Sequence, residues 1–428
     1  MKKNRLVIFF FLACYCLSAQ DLLRSYSHLD DYSVIPNLVL ERQNDIVIPF
    51  YITGGDEKKA GILFLDKGMN IDDVILFEGN GAYVINDLKE SSNGNLLVSA
   101  EGYSSENQES IYFIELQEKE IVNEFIFNEQ GNEVDPFSIV EIEDHVVLGG
   151  FVKTRKLKGS SFYNMYSEEQ MIYMSRFTKD GDKIWSNAID LEGYNQGICN
   201  KIVLLNDYLF LLCHAHELEG KITPFLIKMS AKGEVIKVIK LFNEDKSIMI
   251  SDLVLHNNDL LVSGTYSDNN SQYYYNAEIS EDLIINHANS FLIPSRIVIS
   301  STYVHNDTKH ILGAFISNNQ SYNYLYMKDY VSRVEYSQSG TSRVDFLIGK
   351  YENKLIGYSS GSGNNDNHAD IVLLDENLSA PVGLKEEKSF LLETANFTAY
   401  KIVDEFKKSS VNKGCEKIYL KGIKNQIR

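Results

Sequence analysis

The sequence contains few cysteines, which excludes a disulfide-rich scaffold. Five occur in 428 residues, and two of them, Cys14 and Cys16, lie in an apolar N-terminal stretch. The remaining three allow at most one intrachain disulfide. Cys199 and Cys213 are equally distant from a predicted turn at residues 206 and 207. This symmetry predicts either a cross-strand disulfide or a pair of buried free thiols.

Proline and helical periodicity are scarce as well. Six prolines and the lack of a low-complexity linker argue against a string of separate domains. No stretch keeps a 3.6-residue period over a dozen residues, whereas apolar and polar residues alternate throughout. The content of 26 tyrosines and 22 phenylalanines also favours strands. We therefore predict an all-β chain with one domain at 20–428.

The N-terminus has the features of an export signal. Three basic residues among the first five precede an uncharged, mostly apolar stretch at 6–17, and small residues at 18 and 19 offer a cleavage site. A stretch of this length is too short to span a bilayer, which needs ~20 residues. We expect a signal peptide at 1–19 and export to the periplasm, the cell surface or the medium. A lipid anchor at Cys14 is the alternative.

The acidic balance limits the classes of partner. Removing the three basic residues of the signal changes the balance from 41 basic against 59 acidic residues to 38 against 59, a net charge of −21. Such a charge argues against nucleic acid and anionic membrane surfaces as partners. A monomer that binds a glycan, a peptide or a protein is expected, without a cofactor, a bound metal or a transmembrane segment.

A short pattern recurs along the chain and indicates repeats. It consists of a polar turn, an apolar pair and, four positions after its first residue, a small residue. The steps between successive copies are 50, 50, 63, 51, 50 and 44 residues, and the fourth-on residue is small in five of seven copies. The first residues are Ile46, Leu96, Val146, Leu209, Leu260, His310 and Lys354, and the fourth-on residues are Phe50, Ala100, Gly150, Cys213, Gly264, Ala314 and Tyr358.

Each repeat contains four strand-like runs, which is typical of a β-propeller blade. We predict seven four-stranded blades over 33–392, with 393–428 as closing or extra strands, or eight blades with one divided between the termini. The small residue is expected where neighbouring blades crowd around the axis. The repeats resemble those of bacterial secreted β-propeller proteins. The third is similar to a kelch blade through Gly149-Gly150, Tyr173 and Trp185, and this resemblance implies a fold without an activity.

Polar residues precede the first-strand anchor of every repeat. They are Asn37, Asp87, Ser138, Lys201, Asp252, Thr302 and Asp345. If the first strands are innermost, these positions converge on an acidic channel mouth that could hold a polar ligand or cation. The alternative is that they satisfy backbone donors where strands begin.

Three further segments are candidates for function. The 63-residue step comes from an insert at 153–170, whose Tyr163 and Tyr166 could stack on a ligand or merely cover the channel. His214 and His216 have a spacing that can seed a metal site, although packing is the simpler interpretation. The run TKDGDKIW at 178–185 is similar to the Asp-box turns of sialidase propellers, but its spacing predicts an ordinary hairpin turn.

Catalytic signatures are missing, so a non-catalytic binding or scaffolding role is the main functional prediction. The sequence contains no G-x-S-x-G, no H-E-x-x-H and no phosphate-binding glycine loop. The alternative is a propeller enzyme that acts on polysaccharide as a hydrolase or lyase. A hydrolase would use two carboxylates, and the sequence does not select which two.

Overall fold

A computed structural model gives the architecture, and every regular element in the residues that it describes is a β-strand. Within these residues no helix is long and apolar enough to cross a membrane. The described ranges are 24–26, 33–54, 57–77, 82–103, 109–127, 133–158, 165–191, 193–217, 221–241, 247–268, 271–293, 296–306, 308–316, 322–330, 333–338, 346–352, 354–360, 369–375, 394–395, 400–411 and 415–423.

The chain divides into two compact units. The first unit comprises 1–58, 62–74 and 295–392, and the second comprises 59–61, 75–294 and 393–428. The predicted signal peptide at 1–19 lies outside the described residues. The prediction of one domain over 20–428 stays a prediction.

The second unit is built from sixteen consecutive strands and three strands from the C-terminal region. Repeats two to five each form a four-stranded antiparallel meander in which successive strands pair. The strands are β7 (Ala82–Glu90), β8 (Leu96–Tyr103), β9 (Glu109–Gln117), β10 (Glu120–Phe127), β11 (Glu133–Ile142), β12 (His145–Lys158), β13 (Met165–Thr178), β14 (Lys183–Leu191), β15 (Tyr194–Leu205), β16 (Tyr208–Glu217), β17 (Ile222–Ser230), β18 (Val235–Leu241), β19 (Ser247–His256), β20 (Asp259–Asp268), β21 (Ser271–Ile279) and β22 (Ile285–Ile293).

Repeats one, six and seven form sheets of the same kind, mainly in the first unit. In the first repeat, β5 and β6 include residues of both units. The strands are β1 (Arg24–Tyr26), β2 (Ser33–Pro36), β3 (Leu40–Glu41), β4 (Asp45–Gly54), β5 (Glu57–Asp66), β6 (Ile71–Phe77), β23 (Arg296–His305), β24 (Thr308–Ile316), β25 (Tyr322–Tyr330), β26 (Arg333–Gln338), β27 (Phe346–Tyr351), β28 (Lys354–Ser360) and β29 (Ala369–Asp375).

Strands from both terminal regions extend the sheets. N-terminal β1 pairs antiparallel with β29 and supplies the fourth strand of the seventh repeat. At the other end of the chain, the strands are β30 (Thr394–Ala395), β31 (Tyr400–Val411) and β32 (Cys415–Ile423). They pair with β22, β18 and β14, so each covers the outer edge of a sheet in the second unit.

These sheets confirm the all-β prediction and the propeller fold, because each repeat in the described residues forms an antiparallel sheet with four strands in its main order, the fourth strand of repeat seven being β1. The number of blades stays a prediction. The kelch-like resemblance also stays a prediction, and its residues remain confined to the third repeat, where Gly150 pairs with Tyr173.

A β-bulge in the first strand explains the small residue of the repeat pattern. The register shifts beside Asp87 in β7, and a shift recurs at the equivalent place in β11, β15, β19, β23 and β27. At Gly264, an added Cβ would overlap the carbonyl oxygen of Met249, on the first strand of the same sheet. A Cβ added at Gly150 would overlap the carbonyl oxygen of Asp135 in the same way. The prediction that crowding between blades selects the small residue is therefore wrong for these glycines: the bulge within each sheet selects it.

The bulge also corrects the alignment of the last two repeats. Gly313 lies opposite Ile299 and Gly357 lies opposite Leu347, each just before the shift in register. The small residues are thus Gly313 and Gly357, one position before the predicted Ala314 and Tyr358. The weak apolar pattern around the turns of these repeats had placed both one residue late.

Hydrophobic residues pack between successive sheets of the second unit. One core lies between the third and fourth sheets and includes Ile172, Leu211 and Phe225. Another lies between the fourth and fifth sheets and includes Leu253 and Tyr275. Each sheet is therefore buried against its neighbours, as the stacking of repeats requires.

One end of these sheets is closed by a recurring turn between strands three and four. In the third repeat the Thr178 N–H donates to Asp182 O at 2.9 Å, and the Gly181 N–H donates to Thr178 O at 3.0 Å. The same pattern recurs at 66–70, 230–234 and 280–284, which confirms a hairpin turn at 178–182. The fourth repeat's turn is held by the third sheet, because Trp185 Nε1–H donates to Ala231 O at 3.1 Å.

Candidate functional site

The first-strand polar residues join neighbouring sheets. Asp87 lies in the middle of β7 and is 6% exposed. Its Oδ2 accepts hydrogen bonds from Ser138 Oγ–H and the Ile139 N–H, both at 2.9 Å, in β11. Its Oδ1 accepts from the Leu88 N–H at 2.9 Å. The carboxylate therefore satisfies buried donors on two strands.

The same connection continues to the next two sheets. Ser138 Oγ accepts a hydrogen bond from the Ile202 N–H at 3.1 Å, which joins β11 to β15. The Lys201 ammonium of β15 donates to the buried Asp252 carboxylate of β19. Asp252 also accepts from the N–H of Leu253 at 2.9 Å. These residues form a hydrogen-bonded series across four sheets, which supports the structural alternative over a ligand ring.

In the first unit the equivalent positions differ from the predicted ones. Asp345 lies outside the described residues, and the position equivalent to Asp87 is Gly349 in β27. In β23 that position is Ser301 rather than Thr302, and the Ser301 hydroxyl donates to Ile348 O at 3.1 Å. The predicted positions in these two repeats were wrong for the same reason as the predicted small residues: the repeat alignment was in error by one residue or more there.

The insert of the third repeat is a continuation of a β-hairpin. Strands β12 and β13 stay in register out to the pair Lys158 and Met165, with Tyr166 opposite Leu157 and Glu168 opposite Arg155. Tyr163 lies outside the described residues.

This hairpin is longer than its neighbours. Strand β12 ends twelve residues after Val146, whereas β16 ends eight residues after Leu209 and β8 ends seven after Leu96. An excess of four to five residues at ~3.4 Å each extends the hairpin by roughly 15 Å. We call the described residues 153–158 and 165–170 the long hairpin.

A polar cluster lies at the same end of the adjacent fourth sheet. In an antiparallel meander, the starts of strands one and three meet the ends of strands two and four. Tyr194 begins β15, Glu217 ends β16, and Thr223 and Lys240 lie near the matching ends of β17 and β18. The long hairpin is adjacent, because Gln170 in β13 pairs with Gln196 in β15. We call these four residues the Tyr194 cluster.

Direct hydrogen bonds connect the Tyr194 cluster. The Lys240 ammonium donates to Tyr194 Oη at 2.9 Å and to Glu217 Oε1 at 3.2 Å. The Thr223 hydroxyl donates to the same Glu217 oxygen at 2.9 Å. The Tyr194 ring packs edge-on against Phe225, with 5.1 Å between centroids. The half-buried phenol is thus held by its ring and by its oxygen.

The charge state of Glu217 follows from these contacts. Partial burial raises the pKa of Glu217, but the hydrogen bonds from Thr223 and Lys240 and the nearby charges of Lys240 and Lys221 outweigh it, so the pKa lies below its ordinary value. At neutral pH Glu217 is therefore a carboxylate, and it lies beside the side chains of Lys240 and Tyr194. Because Tyr194 Oη already accepts from Lys240, its own O–H can donate to a ligand.

The two histidines belong to the opposite face of β16. His214 Nδ1 lies 2.5 Å from Asn200 Oδ1. Burial lowers the pKa of His214 to about 4, so its ring is neutral at pH 7. Within the described ranges, no three His, Cys, Asp or Glu side chains gather as metal ligands would.

Sequence reasoning did not bring Tyr194, Glu217, Thr223 and Lys240 together as one site. Tyr194 and Lys240 are 46 positions apart in the sequence, so no local pattern indicates their contact. The repeat alignment could have indicated this contact, since it places Tyr194 and Lys240 at the same end of the fourth sheet.

No family model and no curated protein matches this chain. Solved structures that resemble it include an ulvan lyase of polysaccharide lyase family 25, with 9% identity over 74% of this chain and 96% of that one and a TM-score of 0.45. The polysaccharide lyase Uly1 shares 10% identity over 80% and 90%, with a TM-score of 0.47. The hemagglutinin-neuraminidase of parainfluenza virus 5 shares 9% over 84% and 97%, with a TM-score of 0.40. Likeness at this level gives no information on substrate.

Proposed function

We propose that this chain is an exported β-propeller that engages polysaccharide at the Tyr194 cluster, beside the long hairpin. The contact of Tyr194, Glu217 and Lys240 at the end of the fourth sheet carries the proposal. An aromatic edge, a hydroxyl donor, a carboxylate acceptor and an ammonium are the groups that bind the apolar faces and hydroxyls of a sugar. The long hairpin would add contact area for a chain longer than one sugar.

Cleavage of the bound polysaccharide is a second candidate function. It is favoured by the Tyr194 hydroxyl, which can donate a proton while the Lys240 ammonium holds its oxygen. Hydrolysis by two carboxylates fits less well, because Glu217 is the one carboxylate of the cluster and stays ionised.

The binding test uses the exported, purified protein and a panel of neutral and acidic polysaccharides. Tyr194→Phe and Lys240→Met should each weaken binding about tenfold, the effect of losing one hydrogen bond to a charged or strongly polar group. Lys232→Met is the matched control, since this exposed lysine lies in the turn at the opposite end of the sheet. Titration calorimetry gives the affinities. Equal affinities for all variants, or no binding to any polysaccharide, would contradict the proposal.

The long hairpin is tested by replacing residues 156–167 with Asn-Gly, which keeps Arg155 opposite Glu168. We expect weaker binding of long chains and unchanged binding of short oligosaccharides. Assays for new reducing ends and for unsaturated sugars then separate binding from cleavage. Products made by the wild type and lost in Tyr194→Phe would establish the second candidate.

A further inference from the structure

We propose that Cys199 and Cys213 form a cross-strand disulfide that joins the two strands carrying Tyr194 and Glu217. This inference does not rest on the proposed function. It rests on the register of the two cysteines, on their burial and on the position of the third cysteine in the described strands.

The register places the two cysteines directly opposite each other in β15 and β16. Opposed residues of antiparallel strands have Cα atoms ~4.5–5.5 Å apart, and disulfides span ~4.4–6.8 Å between Cα atoms. Their side chains point to the same face of the sheet, since opposed residues share a face. Both are free thiols in the structure, and burial, together with the neighbouring Cys199 thiol, raises the pKa of the Cys213 thiol. The bond therefore needs little movement of the backbone.

The surroundings favour an intrachain partner over a soluble one. Both cysteines are fully buried, in the core between the third and fourth sheets. Gly149 leaves the space for the sulfur, because an added Cβ there would lie 3.0 Å from Cys199 Sγ and 2.9 Å from Met174 Sδ. A bulky adduct such as glutathione does not fit in this space.

The third cysteine lies too far away to compete. Cys415 is in β32, and β16 is separated from β32 by β17, β18 and β31 in the order of the sheet. Four steps of ~4.8 Å amount to about 19 Å along the sheet, well beyond the reach of a disulfide.

Formation of the bond is an ordinary thiol–disulfide exchange with an oxidised dithiol catalyst or a small disulfide. One cysteine thiolate attacks one sulfur of the oxidant's disulfide, forms a mixed disulfide with it and releases the oxidant's other sulfur as a thiolate. The second cysteine thiolate then attacks the first cysteine's sulfur in the mixed disulfide and releases the remaining oxidant sulfur. The chain loses two electrons and two protons, and the oxidant leaves as two thiols. Because packing of the sheets buries both sulfurs, the exchange takes place before the third and fourth sheets pack together.

The test refolds the full chain from denaturant in mixtures of reduced and oxidised glutathione. Free thiols are then alkylated in denaturant, and the peptides are identified by mass. We expect a peptide pair linked through Cys199 and Cys213, with Cys415 alkylated. Cys213→Ala, which reproduces Ala100 at the equivalent position of the second repeat, removes the link. Cys415→Ala is the matched control and keeps it.

Thermal unfolding provides the second measurement. Reduction should lower the unfolding midpoint of the wild type and of Cys415→Ala by on the order of 5 °C, because the cross-link restricts the unfolded chain. The midpoint of the variant with alanine at both Cys199 and Cys213 should not respond. Alkylation of both cysteines at every glutathione ratio, or a link to Cys415, would overturn the proposal.

Discussion

Asp87 and Glu217 are both carboxylates of the second unit, yet they lie in contrasting surroundings. Asp87 is in the middle of β7, the first strand of its sheet, where its oxygens accept hydrogen bonds from Ser138, Ile139 and Leu88. Glu217 is at the end of a strand, half-buried, and its partners are the side chains of Lys240 and Thr223 in the same sheet. One carboxylate connects two sheets, and the other lies at the end of its own sheet, where we propose that polysaccharide binds.

The contrast shows why polar residues at repeated positions are poor guides to function in this fold. Repetition follows from what each sheet needs, because the first strands of repeats two to seven carry a bulge whose neighbours require hydrogen-bond partners. The Tyr194 cluster combines residues from four strands of one repeat only. A residue set without counterparts in the other repeats is the better candidate for a site.

The strongest test of the first-strand bulges is Gly264→Ala. The new Cβ would overlap the Met249 carbonyl, so the bulge would have to open, at a cost of about 3 kcal/mol in the free energy of unfolding. Ala100→Gly at the equivalent place in the second repeat is the control, with an expected cost of about 1 kcal/mol. Urea unfolding measures both. A cost for Gly264→Ala below that of the control would refute the role of the bulge.

Asp87→Asn tests the connection between sheets. The amide retains one acceptor oxygen but loses the charge and the acceptors at the other position, so we expect a loss of about 2 kcal/mol. Asp144→Asn, at an exposed position, should change the stability by less than about 0.5 kcal/mol. Polysaccharide affinity should be the same in both variants. Reduced affinity with unchanged stability in Asp87→Asn would restore the ligand ring.

Glu217→Gln should have the smallest effect on stability, below about 1 kcal/mol at pH 7, because the ion pair with Lys240 is partly exposed. The pKa of Glu217 is lower in the folded chain, so its contribution is fully present above the ordinary carboxyl pKa and disappears as the pH falls through the folded value. The stabilities of the wild type and the variant should therefore converge as the pH falls below the ordinary pKa of a glutamate carboxyl. A difference that widens on acidification would contradict the assignment.

Much of the fold could be predicted because alternation and spacing are properties of the linear chain. The slots from Ile46 to Leu260 correspond to the second strands of five repeats, and His310 and Lys354 miss by one residue. The one-residue error has a physical reason. The position of the small residue is set by a bulge in the partner strand, and the local hydrophobic pattern does not indicate where that bulge lies.

The site was less predictable than the fold. Tyr163 and Tyr166 were chosen because the insert is long, and the structure describes Tyr166 only by its place in β13. Lys201 and Asp252 were chosen by position in the repeat, and they contact each other. Tyr194 and Lys240 carry no motif, so nothing in the sequence around either residue indicates the other.

By itself the sequence determined the all-β character, the repeat and the turns, since these depend on residues close together in the chain. Tertiary structure alone decided which polar groups form hydrogen bonds between sheets and which lie at the end of a sheet. That distinction depends on contacts between residues about 50 positions apart, such as Asp87 with Ser138, and on the bulges that set their register. Local pattern cannot encode either, because both arise only when one sheet packs against the next.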